Sequence, residues 1–223
     1  MTKVLWVEAS PQGERSTSSA CARAFLDGLA ETDGDVTFTC RDVWDPTLVR
    51  MDGAAAQAKF GPLLGKDHTP EQAAIWQAIT DEVEMVRGHD AVIVSSPMWN
   101  WHVPHALKNW IDVIVQPLLS FTLDRKGRHV GCLGDGKPVQ LLLTRSSTYD
   151  GTSPELVDFQ RPYLEYIFTM LGYGEVDTLV VEPTTRWTAE ERAQMHADAL
   201  AVSREAAAAF ATRLTGPTVD APA

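Results

Sequence analysis

Short apolar runs alternate with amphipathic stretches along almost the whole chain, and no other feature restricts its fold so strongly. Val4-Leu5-Trp6-Val7 reads as a buried strand that stops at Ala9-Ser10-Pro11. Residues 16–30 follow as a helix with Ala20, Ala24 and Leu29 on one face, and Asp33-Gly34-Asp35 breaks it. Residues 36–43 alternate like a second strand. Thr69, as N-cap, and Pro70, in the first turn, predict a helix reaching about Arg87. Residues 91–95 form a continuous apolar run of the kind buried on both faces of a parallel sheet. A helix over 104–115, a Gly-rich hairpin-like excursion over 121–136, a strand over 139–144, a helix over 154–171, a strand over 176–181 and a long helix over 188–214 complete the pattern. Only residues 44–69 lack a sustained period, apart from one short helix over 53–60. Connections of that length are often functional or interfacial.

The order predicts an α/β fold: one doubly wound, five-stranded parallel sheet with helices on both faces, over residues 1–215, and a frayed tail at 216–223. Lys plus Arg is 19 against 30 Asp plus Glu, a net charge of −11, which argues against nucleic acid or an anionic membrane as a partner. No apolar run approaches the ~20 residues that span a bilayer. The first residues lack the pattern of a signal peptide, and Cys21, Cys40 and Cys132 are too scattered for a disulfide framework. The chain is therefore expected in the cytoplasm, with its three thiols reduced and packed inside.

Ligands of open α/β sheets sit beyond the carboxyl ends of the strands, where the strand order reverses. Three loops leave such ends here. In the first, Ser10, Ser16, Thr17 and Ser18 gather as a helix begins, where free N–H groups and the helix dipole favour a dianionic phosphate. The same hydroxyls would also serve as ordinary N-caps. The loop is neither GxxxxGK[ST] nor GxGxxG. In the second, Pro97-Met98-Trp99-Asn100-Trp101 makes a flat apolar platform with one amide, suited to a planar heteroaromatic ring, unless the tryptophans merely cap the core. The third carries Thr144, Arg145, Ser146 and Ser147.

Together with Leu107-Lys108-Asn109-Trp110-Ile111-Asp112 and Phe121-Thr122, the first two loops resemble the FMN-dependent NADH:quinone oxidoreductases, also called azoreductases. Asp150-Gly151, Pro162-Tyr163-Leu164 and Leu171-Gly172 extend the likeness over nearly the whole chain. The resemblance implies a flavodoxin-like fold and a homodimer with FMN at its interface. It also implies ping-pong transfer of two electrons from NADH or NADPH to a small quinone or azo-type aromatic acceptor. By the same resemblance, Ser10, Ser16, Thr17 and Ser18 hold the FMN phosphate. Met98, Trp99, Asn100 and Trp101, with Pro97 in the same loop, contact the ribityl chain and isoalloxazine. Thr144, Arg145, Ser146 and Ser147 lie along the pyrimidine edge. Ser146 and Ser147 stand where the family often has two glycines, and Trp99 replaces a usual tyrosine.

No side chain is assigned as acid or base, and no HExxH, paired-cysteine or GxSxG motif points to a metal or a serine nucleophile. His102 and His105 sit near the proposed site, where they could contact substrate, but surface or helix-start placement is the simpler reading. Two further readings remain: a reductase diverted to a specialised metabolite or nitro compound, and a flavodoxin-like electron carrier. The long 44–69 connection and the 121–136 excursion count against the carrier, which needs neither.

Overall fold

The computed structural model describes residues 1–214 other than 33, 150, 154, 186 and 187. The frayed tail expected at 216–223 lies outside the described residues. Five parallel strands, β1 (Thr2–Glu8), β2 (Val36–Asp42), β3 (Ala91–Pro97), β6 (Val139–Thr144) and β7 (Val176–Val181), pair in the order β2-β1-β3-β6-β7. The strand order reverses between β1 and β3. Two short antiparallel strands, β4 (Phe121–Leu123) and β5 (His129–Gly131), form the expected hairpin. The fold is flavodoxin-like.

Two helical layers explain why the middles of the central strands are mostly apolar on both faces. Helices α1 (Thr17–Thr32) and α6 (Ala189–Leu214) cover one face, where Phe25, Leu29 and Phe210 meet Val4, Ile93 and Leu142. The Phe25 and Phe210 rings meet edge to face at 5.4 Å. Helices α3 (Pro70–Arg87), α4 (His105–Ile114) and α5 (Arg161–Met170) cover the other, where Val83, Trp110 and Phe168 meet the opposite-facing Leu5, Val94 and Leu141. Successive side chains of a strand point to opposite faces, so burial on both sides removes the polar half of the alternation. The short helix α2 (Gly53–Phe60) lies in the long connection, capped by Asp52, whose carboxylate accepts from the N–H groups of Ala54 and Ala55. Thr69 and Gln72 close a reciprocal capping box at the start of α3, as the Thr-Pro signal predicts.

Three expectations are corrected. The helix expected over 154–171 begins only at Arg161. Asp158 marks the earlier stop, its carboxylate accepting from the N–H groups of Gln160 at 2.9 Å and Arg161 at 3.1 Å, while residues 155–160 form turn and loop. The edge strand β2 does not alternate: five of its seven residues are exposed, because the helical layers centre on β1, β3 and β6. Of the three thiols only Cys21 is buried. Cys40 sits on that uncovered edge strand and Cys132 just beyond the hairpin.

The hairpin is seated by backbone approach rather than by side chains. A Cβ at Gly131 would collide with the backbone of Leu171 and Gly172, while nothing lies within 4 Å of one at Gly53. Gly131→Ala is therefore expected to destabilise the fold by about 2–3 kcal/mol through overpacking. Gly53→Ala, in open space at the helix start, should stay within about 0.5 kcal/mol. Urea unfolding of the two variants checks the contrast.

Candidate functional site

Parallel register brings the carboxyl ends of all the main strands to one edge: Glu8 lies beside Asp42 and Ser95, and Thr144 beside Pro97 and Val181. The loops leaving β1, β3 and β6 are thus neighbours, as three adjacent central strands require. Backbone bonds lock them together. The N–H of Ala9 donates to Ser95 at 2.9 Å, that of Met98 to Thr144 at 2.8 Å, and that of Phe159 to Trp101 at 3.1 Å.

In the first loop, Ser16 is the N-cap of α1. Its carbonyl accepts from the Ala20 N–H at 2.9 Å and its hydroxyl from the Ser19 N–H at 3.2 Å. The hydroxyls of Ser18 and Ser19 approach it at 3.1 and 3.0 Å. Ser10, Ser16 and Ser18 are buried and Thr17 half-buried, with Ser10 accepting from the Gln12 N–H at 3.4 Å. The capping reading therefore holds for Ser16. It leaves the N–H groups of Thr17 and Ser18 at the mouth of a 16-residue helix with no acidic residue in its first turn, an electropositive socket.

The second loop is a tight reversal. Trp99 and His102 exchange both backbone bonds, at 2.8 and 3.0 Å, across Asn100 and Trp101, whose φ angles are +46° and +65°. Positive φ at both central positions is the pattern of a two-residue hairpin turn, and asparagine tolerates it best after glycine. The turn lifts the rings out of the core: Trp99 is 36% and Trp101 48% exposed. They do not simply cap the core, which decides one alternative left open by the sequence.

Trp44, from the loop after β2, escaped sequence reasoning. Its indole N–H donates to the Ala9 carbonyl at 3.1 Å, and its ring packs 5.5 Å from Trp99 and 4.9 Å from His105. It bridges the first and second loops. Its one signal in the sequence was its place just beyond a strand's carboxyl end, inside the aperiodic connection. Below it a cleft of about 370 Å³ is lined by Trp44, Asp45, Leu48, Arg50, His105 and Asn109. Asn109 holds the cleft's far wall, accepting from the Met51 N–H and donating to the Val49 carbonyl, both at 2.9 Å.

In the third loop the side chains separate. Thr144 and Arg145 are buried, Ser146 is exposed and Ser147 half-buried. Arg145, only 3% exposed, donates to Asp158 at 2.7 Å, to Gln160 at 3.2 Å and to Glu182 at 3.3 Å. Its guanidinium is committed within the protein, leaving Ser146 and Ser147 as the part of this loop that faces outward. Asp150 lies outside the described residues. Among the described residues no cluster of histidine, cysteine and carboxylate side chains could hold a metal ion. No helix there is long and apolar enough to cross a membrane.

A family model described as having a flavodoxin-like fold matches residues 2–206. A protein of Nitratidesulfovibrio vulgaris named FMN-dependent NADH:quinone oxidoreductase is 34% identical over 211 residues, covering 94% of this chain and all of that one. A namesake from Desulfotalea psychrophila is 33% identical over 184 residues, 82% of this chain and 86% of its own. The chain belongs to the flavodoxin-like FMN-dependent NADH:quinone oxidoreductase family. A crystal structure of an azoreductase from Bacillus anthracis is similar in fold, with a TM-score of 0.82 and 24% identity over 94% of this chain and all of that one. In this oxidoreductase the edge of the sheet is where family membership and geometry meet.

Arg145 is the brace of that edge. Arg145→Met would leave the carboxylates of Asp158 and Glu182 beside each other without their cation. The expected cost is about 3 kcal/mol, read as a lower urea midpoint with the slope of the transition unchanged.

Proposed function

We propose that this oxidoreductase binds FMN and passes two electrons from NADH or NADPH to a small quinone or azo-type aromatic acceptor, donor and acceptor using the same site in turn. One observation carries the reading. The socket at the start of α1 and the exposed Trp99–Trp101 turn stand side by side where the strand order reverses.

The residues present fit the cofactor. Hydroxyls of Ser16 and Ser18, free N–H groups and the absence of a nearby first-turn carboxylate suit a terminal phosphate monoester. The half-exposed indoles and the Asn100 amide suit a planar ring carrying polar edges. When bound, FMN supplies the hydride chemistry itself. The chain's own work is to bind and orient. The helix end and serines anchor the phosphate, Trp44 buttresses Trp99, and Ser146 and Ser147 shape the space beside the ring. The names of the relatives supply the same cofactor, donor and acceptor class. The serine pair, with its added bulk and hydroxyls, also favours a second reading of the acceptor as a specialised metabolite or nitro compound.

The same proposal includes a homodimer. Leu118, Leu123 and Val130 are 72%, 60% and 48% exposed around the hairpin, an apolar area that a second copy would cover. A cytoplasmic setting suits the three free thiols.

The purified protein is expected to be yellow and to release FMN on denaturation. Ser16→Ala combined with Ser18→Ala should weaken FMN by more than about tenfold, since charge-assisted hydrogen bonds are worth roughly 1.5–3 kcal/mol each. An unchanged dissociation constant would remove the phosphate assignment. Steady-state oxidation of NADH with benzoquinone should give parallel double-reciprocal lines as the second substrate is varied; intersecting lines would end the shared-site scheme.

Light scattering at micromolar concentration should give twice the chain mass. Leu118→Lys with Leu123→Lys should shift it toward the monomer and reduce turnover. A monomeric wild type with full activity would count against the assembly.

A further inference from the structure

We propose that His102 is held as the neutral tautomer protonated on Nε2 and gives the electron acceptor a fixed hydrogen-bond donor. The proposal rests on the reductase reading above and names one residue that serves its acceptor.

The decisive contact is small. The backbone N–H of Val103 lies 2.8 Å from His102 Nδ1. An amide N–H can only donate, so Nδ1 must present its lone pair and the ring's proton must sit on Nε2. Protonating the ring would set two N–H groups against each other. The surroundings act in the same direction: burial, then the positive charge of Lys108 on α4, hold the His102 pKa below the usual imidazole value. The other groups around it do not reverse this. Tyr163 on α5 packs 4.7 Å away, ring to ring, and burial followed by the nearby Asp112 carboxylate pushes its phenol up to about 12, so it stays neutral. Asp112 itself is paired to Lys108 at 2.6 Å. His105 is turned toward Trp44 and Trp99 instead.

Position supplies the second half of the argument. His102 closes the turn that Trp99 opens, and residues paired directly across such a turn present their side chains to the same side. The ring is half-buried, and Nε2 has no hydrogen-bond partner among the described residues. A donor with a locked tautomer therefore closes the same turn whose other end carries the indole that would flank a bound acceptor, its ring resting on Tyr163 and the indole on Trp44 and His105. Its preorganisation is the useful property: a neutral N–H aimed where negative charge develops costs no reorganisation during the reaction.

For a quinone the balance is simple. A hydride brings two electrons and one proton to the ring system, and negative charge gathers on a carbonyl oxygen. That oxygen accepts from Nε2–H and takes its remaining proton from water, so the product is the hydroquinone. His102 keeps its own proton throughout, because its neutral form cannot give it up without becoming an imidazolate.

The test compares the FMN-loaded wild type with His102→Phe and His102→Gln. Phenylalanine keeps a flat ring against Tyr163, and glutamine restores an N–H near the place of Nε2. Three readouts are taken: FMN content, turnover with benzoquinone, and turnover with ferricyanide, which accepts electrons without an oxygen that needs a donor. We expect His102→Phe to retain FMN and ferricyanide turnover while kcat/KM for benzoquinone falls about tenfold, and His102→Gln to recover most of the loss. In protein labelled with 15N-histidine, NMR at neutral pH should show His102 with Nδ1 unprotonated and Nε2 protonated, and a titration below the usual imidazole value. Equal losses with both acceptors, an unchanged benzoquinone value in His102→Phe, no recovery in His102→Gln, or a ring that titrates near the ordinary histidine pKa would each overturn the role. A wild type that holds no FMN and oxidises no NADH with either acceptor would instead remove the reductase reading beneath it.

Discussion

Arg145, buried just beyond the end of β6, carries a full positive charge, and the sheet edge is organised around neutralising it. Asp158 and Glu182 approach it from two different connections, and Gln160 takes its third contact. A buried guanidinium tolerates no partial solution, because a missing partner leaves a desolvated charge. The segment before α5 is therefore held in extended and turn conformations instead of helix. Once it is held there, the Phe159 N–H reaches the Trp101 carbonyl and the Gln160 amide reaches the Ser96 carbonyl at 3.3 Å. One ion cluster thus sets the position of the second loop as well as the third.

The first loop obeys a different constraint. A chain of net charge −11 repels anions at long range, so a phosphate site must be local and short-ranged. At the phosphate site proposed above, the start of α1 would meet that need with N–H groups and hydroxyls rather than with lysine or arginine, and it places no carboxylate in the first turn. Trp44 joins this loop to the aromatic turn through one hydrogen bond to Ala9 and one ring contact with Trp99, and its ring also packs on His105 of α4. The proposed phosphate socket and ring platform would thereby be kept in register by a residue that need touch neither ligand group.

His102 shows how a turn can set chemistry as well as shape. Its imidazole is bound by the amide of the very next residue, so the tautomer is decided by local backbone conformation. Burial, and then the charge of Lys108, disfavour the protonated form.

Periodicity alone carried the element order, because a strand buried on both faces must be apolar throughout and a covering helix must repeat every 3.6 residues. Ser16 as a helix start, the Thr69 cap and the hairpin at Phe121–Gly131 were legible for the same reason: their causes lie within a few residues of chain. So was the grouping of the three loops at one edge, which follows from parallel strands. Contacts between distant segments were not legible. Nothing near Arg145 in the sequence announces Glu182, 37 residues on, and nothing near Trp44 announces Trp99. The truncated start of α5, the uncovered face of β2 and the exposure of Cys40 and Cys132 depend on which elements become neighbours after folding. Local patterns determine what each segment is. Charge pairing and ring packing across the chain decide where it stops and what it faces, because those energies exist only once the partners have been brought together.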